Sequence, residues 1–260
     1  WIAPILIFAK IFLQDLWLAG CGWDDALTPE LAAAWGRFRE SLPGLEAVGL
    51  PRWLGALVED DVELHGFSDA SERAYAAVVY TRVTRRDGGV LVSLLTARTK
   101  VAPVKTQSVP RLELCGAVFL ARLLDRLVRG LGQRAIPVVA WTDAQVVLCW
   151  LRGHASRWKP FVAHRVAEVQ GLVPGDRWRY VPTGSNPADL ATRGVPVSEL
   201  GGLDLWWNGP KWLREASAYW PESVGREVTI EAEQEQRSVH LIAGGAAESQ
   251  IEERFSSLSR

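Results

Sequence analysis

The hydrophobic period changes once between residues 62 and 130, and that change limits the architectures open to the chain. Three apolar strand-length runs come first, HGFSDAS, AYAAVVYTRV and VLVSLLTARTKV, with the polar turn Arg85-Arg86-Asp87-Gly88-Gly89 before the third. Connections this short fold most simply into an antiparallel meander. After Pro110, the stretch RLELCGAVFLARLLDRLVR from Arg111 to Arg129 is apolar nearly all round for its first three turns, which predicts a buried helix. IPVVAWTDAQVVLCWL then reads as a strand through Trp141 and a helix from Ala144, and Phe161 to Val173 as another helix. WRYVPTGSNPADLATRG reads as a last strand, a loop and a short helix. The order βββαβαβα belongs to an α/β or α+β domain with a mixed sheet.

Pattern divides the chain into a helical segment over 1–57, the α/β domain over 58–200, a Trp-rich extension over 201–221 and an acidic stretch over 222–260. An apolar share of 48% in 260 residues suffices for a core. Residues 222–260 carry eight Glu and four Arg, a net charge of −4 that leaves +3 on residues 1–221. This stretch is expected to be a poorly ordered linker. At the other end, Lys10, Gln14 and Asp15 interrupt the apolar run before the roughly 20 residues of a membrane span. Lys10 and Gln14, four apart, share a helix face, so a buried amphipathic helix is expected and no membrane partner. Cys21, Cys115 and Cys149 show no CxxC spacing and suit reduced thiols inside a cell. The chain has no Met and starts at Trp1, so it is expected to be part of a longer polypeptide.

Four acids stand out. Asp69, late in the first strand, reads alone as a turn residue, and Asp143 as a helix cap in TDAQ. Glu113 is harder to place, because it sits among Leu112, Leu114 and Cys115 with Gly116 and Ala117 leaving room beside it. A crossover helix that lays the Trp141 strand parallel to the first strand would bring Asp69 and Asp143 about 5 Å apart at adjacent carboxyl ends, with Glu113 entering from the helix. Carboxylates so gathered resist ionising unless a divalent cation binds, and an all-oxygen set suits magnesium or manganese. Asp189, in NPADLATRG, follows a good N-cap and a proline suited to a first helical position.

FSDAS, VAPVKTQSVPRLELCGAVFLARLL, WTDAQVVLCWL, RWKPFVAHRVAEVQ and NPADLATRG followed by LWWNGPKWL resemble the ribonuclease H region of BEL/Pao retrotransposon polyproteins, the Pao retrotransposon peptidase family. KIFLQDLW, GWDD and GLPRW are similar to the segment after the reverse transcriptase, so the resemblance covers about residues 1–213. It implies a ribonuclease H-like five-stranded mixed sheet, three antiparallel strands followed by parallel ones, flanked by helices. Residues 1–57 would then be the tail of a reverse transcriptase connection. The family's four carboxylates fall on Asp69, Glu113, Asp143 and Asp189, which would hold two magnesium ions, with manganese as a substitute. The implied activity is hydrolysis of the RNA strand of RNA/DNA hybrids during reverse transcription. The implied partners are an upstream reverse transcriptase and a downstream integrase, in a cytoplasmic virus-like particle or the nucleus. One departure concerns the loop VPTGSNPA, where related enzymes carry a His; none lies between His164 and His240, leaving Thr183 and Ser185.

Two stretches are basic without an acid: Arg98, Lys100, Lys105 and Arg111, then Arg152, Arg157, Lys159 and Arg165 with Trp158 among them. They read as a nucleic-acid surface or as a solvated face, and the resemblance favours the former for the second stretch. The Trp residues of LWWNGPKWL read as packing. Two other functions compete, a non-catalytic ribonuclease H-like module and an aspartic peptidase. The peptidase requires D-[ST]-G loops, and no Asp here is followed by Ser-Gly or Thr-Gly.

Overall fold

The computed structural model describes residues 1–50, 53, 55–57, 59–131, 136–222 and 230–237. Two helices come first, α1 (Ala3–Leu18) and α2 (Pro29–Ser41). The meander follows as β1 (Asp61–Ala70), β2 (Ala74–Thr84) and β3 (Val90–Val101), then α3 (Val109–Gly130), β4 (Val138–Thr142), α4 (Gln145–Arg152), α5 (Pro160–Leu172) and β5 (Trp178–Tyr180). Short helices α6 (Ala188–Arg193), α7 (Val197–Leu200), α8 (Asp204–Asn208) and α9 (Ile230–Gln234) complete the series. The sheet runs β3-β2-β1-β4-β5, antiparallel among the first three strands and parallel from β1 to β4 and β4 to β5. This is the mixed five-stranded sheet that the sequence predicted.

Period-2 alternation covers both faces of the sheet, which is why β2 is buried almost throughout. Ala77 and Val79 of β2 join one core with Leu114, Leu120 and Leu124 of α3 and Val162 and Val166 of α5. Ala76, Val78 and Tyr80 join the other, with Ile5 of α1, Ala188 and Ala191 of α6, and Trp206, Leu213 and Trp220. Gly66 lets α3 approach β1, since a Cβ there would lie 2.6 Å from Leu120 Cδ1.

The expected buried amphipathic helix is buried only at its start. Ala3, Pro4, Ile5 and Ile7 of α1 are buried, while Leu13 and Trp17 face outward. Lys10 and Gln14 do share a face, and their side chains donate to Thr99 O at 2.5 Å and Ala102 O at 2.7 Å along β3. The Trp-rich extension packs as expected: Trp206 is fully buried, Tyr80 Oη donates to its carbonyl at 2.7 Å, and its indole donates to Trp1 O at 2.8 Å. The acidic stretch departs from the expected linker over 230–237, which includes α9 and packs on the domain because Ala232 is buried in the core and Glu235 pairs with Arg111. The rest of that expectation, residues 223–229 and 238–260, lies outside the described residues.

Candidate active site

The strand register places the first three acids. Ser68 of β1 pairs with Thr142 of β4, so Asp69 and Asp143 are the next residues on two adjacent parallel strands, at their carboxyl ends. Neither does the local work the sequence alone suggested. Asp69 lies within β1, and Ser71 builds the turn to β2, its Oγ accepting from Arg73 N at 3.3 Å and Ala74 N at 3.1 Å. Asp143 does not cap α4, whose cap position is Ala144 with no capping side chain. Glu113 stands in the first turns of α3, and Gly116, one turn on, lets that helix pack directly on β1. A Cβ at Gly116 would lie 3.0 Å from Asp69 O.

The fourth acid arrives through Asn186, which is 1% exposed. Its Nδ2 donates to Ser68 O at 3.0 Å and to Asp143 Oδ1 at 3.2 Å, while its Oδ1 accepts from Ala188 N at 3.1 Å. Asn186 thus serves the start of the helix with its side chain, but α6 begins at Ala188 and its cap position falls on Pro187, one residue later than the sequence suggested. One carboxamide fastens the end of β1, the acid after β4 and the start of α6. From α6, Thr192 Oγ1 donates to Asp69 Oδ2 and Arg193 Nε donates to Asp189 Oδ1. Sequence reading missed Thr192 and Arg193 as site residues and took Asn186 only as a cap. The i,i+4 spacing of Asp189 and Arg193 was the available signal.

Electrostatics show how closely the acids are gathered. Burial pushes the Asp69 carboxyl up to about 7, the Thr192 hydroxyl opposes this, and the charges of Asp143 and Asp189 add to it. Burial likewise pushes Glu113 up to about 8, helped by Asp143 and Asp69. Among the described residues no three His, Cys, Asp or Glu side chains form ready-made metal-binding geometry. The three Asp side chains instead accept from Thr192, Asn186 and Arg193. The chemistry of the set still fits a hard divalent cation, because burial and the neighbouring aspartate charges disfavour the ionised forms of Asp69 and Glu113, and a cation would offset both.

The basic residues divide into two places. Arg98, Lys100 and Arg165 line a cleft of about 530 Å³ between α3, α5 and the β2–β3 edge, where they join His164 of the second basic stretch and also Arg122 and Arg126, which the sequence reading had not selected. The cleft has one acid, Glu168, already paired with Arg122. Lys105 is exposed in the β3–α3 connection outside the cleft lining, and Arg152 is exposed at the end of α4. Arg111, Arg157 and Lys159 lie beside residues 230–237. The expected role of Trp158 in nucleic-acid binding is corrected. It is 2% exposed and its indole donates to Trp150 O at 3.2 Å, so its ring belongs to the core and presents no face to a base. The loop lacking His is a short 3-10 turn, Thr183–Ser185.

A sheet in this order, flanked by helices on both faces, with acids at the carboxyl ends of its first parallel pair, defines a ribonuclease H-like domain. The family described as Pao retrotransposon-like RNaseH-like domain matches residues 1–144, and the chain belongs to it. The matched residues include the N-terminal helical segment, Asp69, Glu113 and Asp143; Asp189 lies beyond them. Among solved structures, the N-terminal RNase H domain of rv2228c from Mycobacterium tuberculosis is 18% identical, with a TM-score of 0.35 over 52% of this chain and 94% of that one. RNase H1 from Halobacterium salinarum NRC-1 is 16% identical, with a TM-score of 0.31 over 49% and 90%. LC11-RNase H1, isolated from compost, is 14% identical, with a TM-score of 0.34 over 50% and 91%. No curated protein matches significantly. Among the described residues no helix is long and apolar enough to cross a membrane.

Proposed function

We propose that this domain is a divalent-cation-dependent ribonuclease H that hydrolyses the RNA strand of RNA/DNA hybrids during reverse transcription. The observation that carries the reading is the convergence of Asp69, Glu113, Asp143 and Asp189 from separate parts of the chain, with the carboxyls of Asp69 and Glu113 pushed up by burial and by the neighbouring aspartate charges. Asp69, Glu113, Asp143 and Asp189 would hold the magnesium or manganese ions. Such ions supply an activated water and stabilise the leaving oxygen of a phosphodiester displacement. Asn186 fixes the relative positions of β1, Asp143 and α6, and Thr192 and Arg193 hold Asp69 and Asp189 through the same short helix. The basic cleft of Arg98, Lys100, Arg122, Arg126 and Arg165 suits a phosphate backbone, with RNA told from DNA through its 2′-hydroxyls. Such a domain would work beside a reverse transcriptase and an integrase of one polyprotein, inside the cell, with residues 1–57 as the connection to the polymerase.

A non-catalytic hybrid-holding module is the second reading, favoured by the absence of His from VPTGSNPA and by the present engagement of the three aspartates with neighbours. One assay separates the two. The purified chain is incubated with an end-labelled RNA/DNA hybrid and magnesium, alongside Asp69→Asn and Asp189→Asn. Cleavage of the RNA strand by the parent chain and its loss in both variants is expected. Intact RNA with the parent chain, or undiminished cutting by both variants, refutes the nuclease.

A further inference from the structure

Residues 230–237, IEAEQEQR, carry three glutamates and one arginine, and they sit on the second basic stretch. The anchor is Ala232, 0% exposed in the core shared by α3, α4 and α5. Beyond it the backbone runs antiparallel to the α4–α5 connection. Lys159 N donates to Glu235 O at 2.7 Å, Arg237 N donates to Arg157 O at 2.8 Å, and Trp158 forms a bridge with Gln236. Side chains follow the same line: Arg111 Nε donates to Glu235 Oε1 at 2.7 Å and Lys159 Nζ to Gln234 O at 2.6 Å.

We infer that Ile230–Arg237 is an intrachain competitor for nucleic acid, seated on Arg111 and Lys159 when the chain is free and displaced when a hybrid occupies them. The inference rests on the reading of the domain as a hybrid binder. Its chemistry is substitution of like for like. A carboxylate and a backbone carbonyl occupy donors that phosphate oxygens would otherwise take, and phosphate forms charge-assisted bonds to Arg and Lys at least as well. The seat is also imperfect, since the second carboxylate oxygen of Glu235 is buried without a hydrogen-bond partner among the described residues. Two states of one segment, each excluding the other ligand, make the apparent affinity for hybrid the intrinsic one reduced by the fraction of time the segment is released.

The test uses the full chain and a fluorescein-labelled RNA/DNA hybrid in EDTA, so that binding is read without cleavage. Glu235→Ala removes the ion pair, Ala232→Glu ejects the buried anchor, and Glu222→Ala matches the charge change of the first at an exposed position outside the seat. Glu235→Ala and Ala232→Glu are expected to bind hybrid roughly three- to tenfold more tightly, and Glu222→Ala like the parent. A gain from Ala232→Glu cannot come from net charge, because that variant adds a negative one. Hydrogen exchange over 230–237 should be slowed in the free chain by a similar factor, roughly three- to tenfold, and lose that protection at saturating hybrid. Unchanged affinity in both seat variants, or a segment that stays protected while hybrid is bound, overturns the competitor. If neither the parent nor any variant binds hybrid, the nucleic-acid reading falls, and the competitor with it.

Discussion

Replacing Asp69 with Asn should stabilise the metal-free chain, and increasingly so as pH rises. In the unfolded chain this carboxyl ionises near 3.8, whereas in the folded chain it is pushed up to about 7. Between those values the folded state keeps a proton that the unfolded state has lost, so stability falls as pH rises through the window and levels off above it. The gap corresponds to about 4 kcal/mol at pH 9 and about 1.6 kcal/mol at pH 5, so about 2.5 kcal/mol accrues between the two. Asn has nearly the same shape, can still accept from Thr192, and has no charge to bury. Glu113 moves the same way, because it loses one of the charges that raise it. Urea unfolding of both chains in EDTA at pH 5, 7 and 9 measures this, and the variant's advantage is expected to grow by roughly 1–3 kcal/mol across the series once relaxation around the site is allowed for. Magnesium added at pH 8 should stabilise the parent, by about 2.7 kcal/mol at a hundred times its dissociation constant, and the variant much less. A stability difference independent of pH, or a variant less stable than the parent at pH 9, would refute the electrostatic reasoning.

Asn186→Ala should lower stability by roughly 1–3 kcal/mol, because it leaves Ser68 O and Ala188 N without their buried partner, and should abolish hybrid cleavage; urea melts and the labelled-hybrid assay check both. Gly116→Ala sets a methyl 3.0 Å from Asp69 O and should cost roughly 1–3 kcal/mol by the same melts while weakening the response to magnesium. Charge reversal in the cleft, Lys100→Glu or Arg126→Glu, should weaken hybrid binding and flatten its dependence on salt by about one phosphate contact each, read from anisotropy titrations at several salt concentrations.

Much of the fold was legible in the sequence. The three-strand meander, the buried crossover helix and the short helix of NPADLATRG follow from local apolar period and from Gly and Pro punctuation, which nearby residues decide by themselves. The grouping of Asp69, Glu113 and Asp143 was legible one step further, given a crossover that lays β4 beside β1. Sequence alone could not say that Asn186 fastens Ser68, because the two lie 118 positions apart, or that Arg111 meets Glu235 across 124. Nor could it tell a buried Trp158 from one facing a ligand, since a tryptophan among basic residues looks the same in either setting until its neighbours fill the space around it. What the chain determined by itself was the set of elements and the acids they carry, because those depend on periodicity. What only the tertiary structure decided was which of those side chains meet, because burial and pairing depend on packing between segments far apart in the chain.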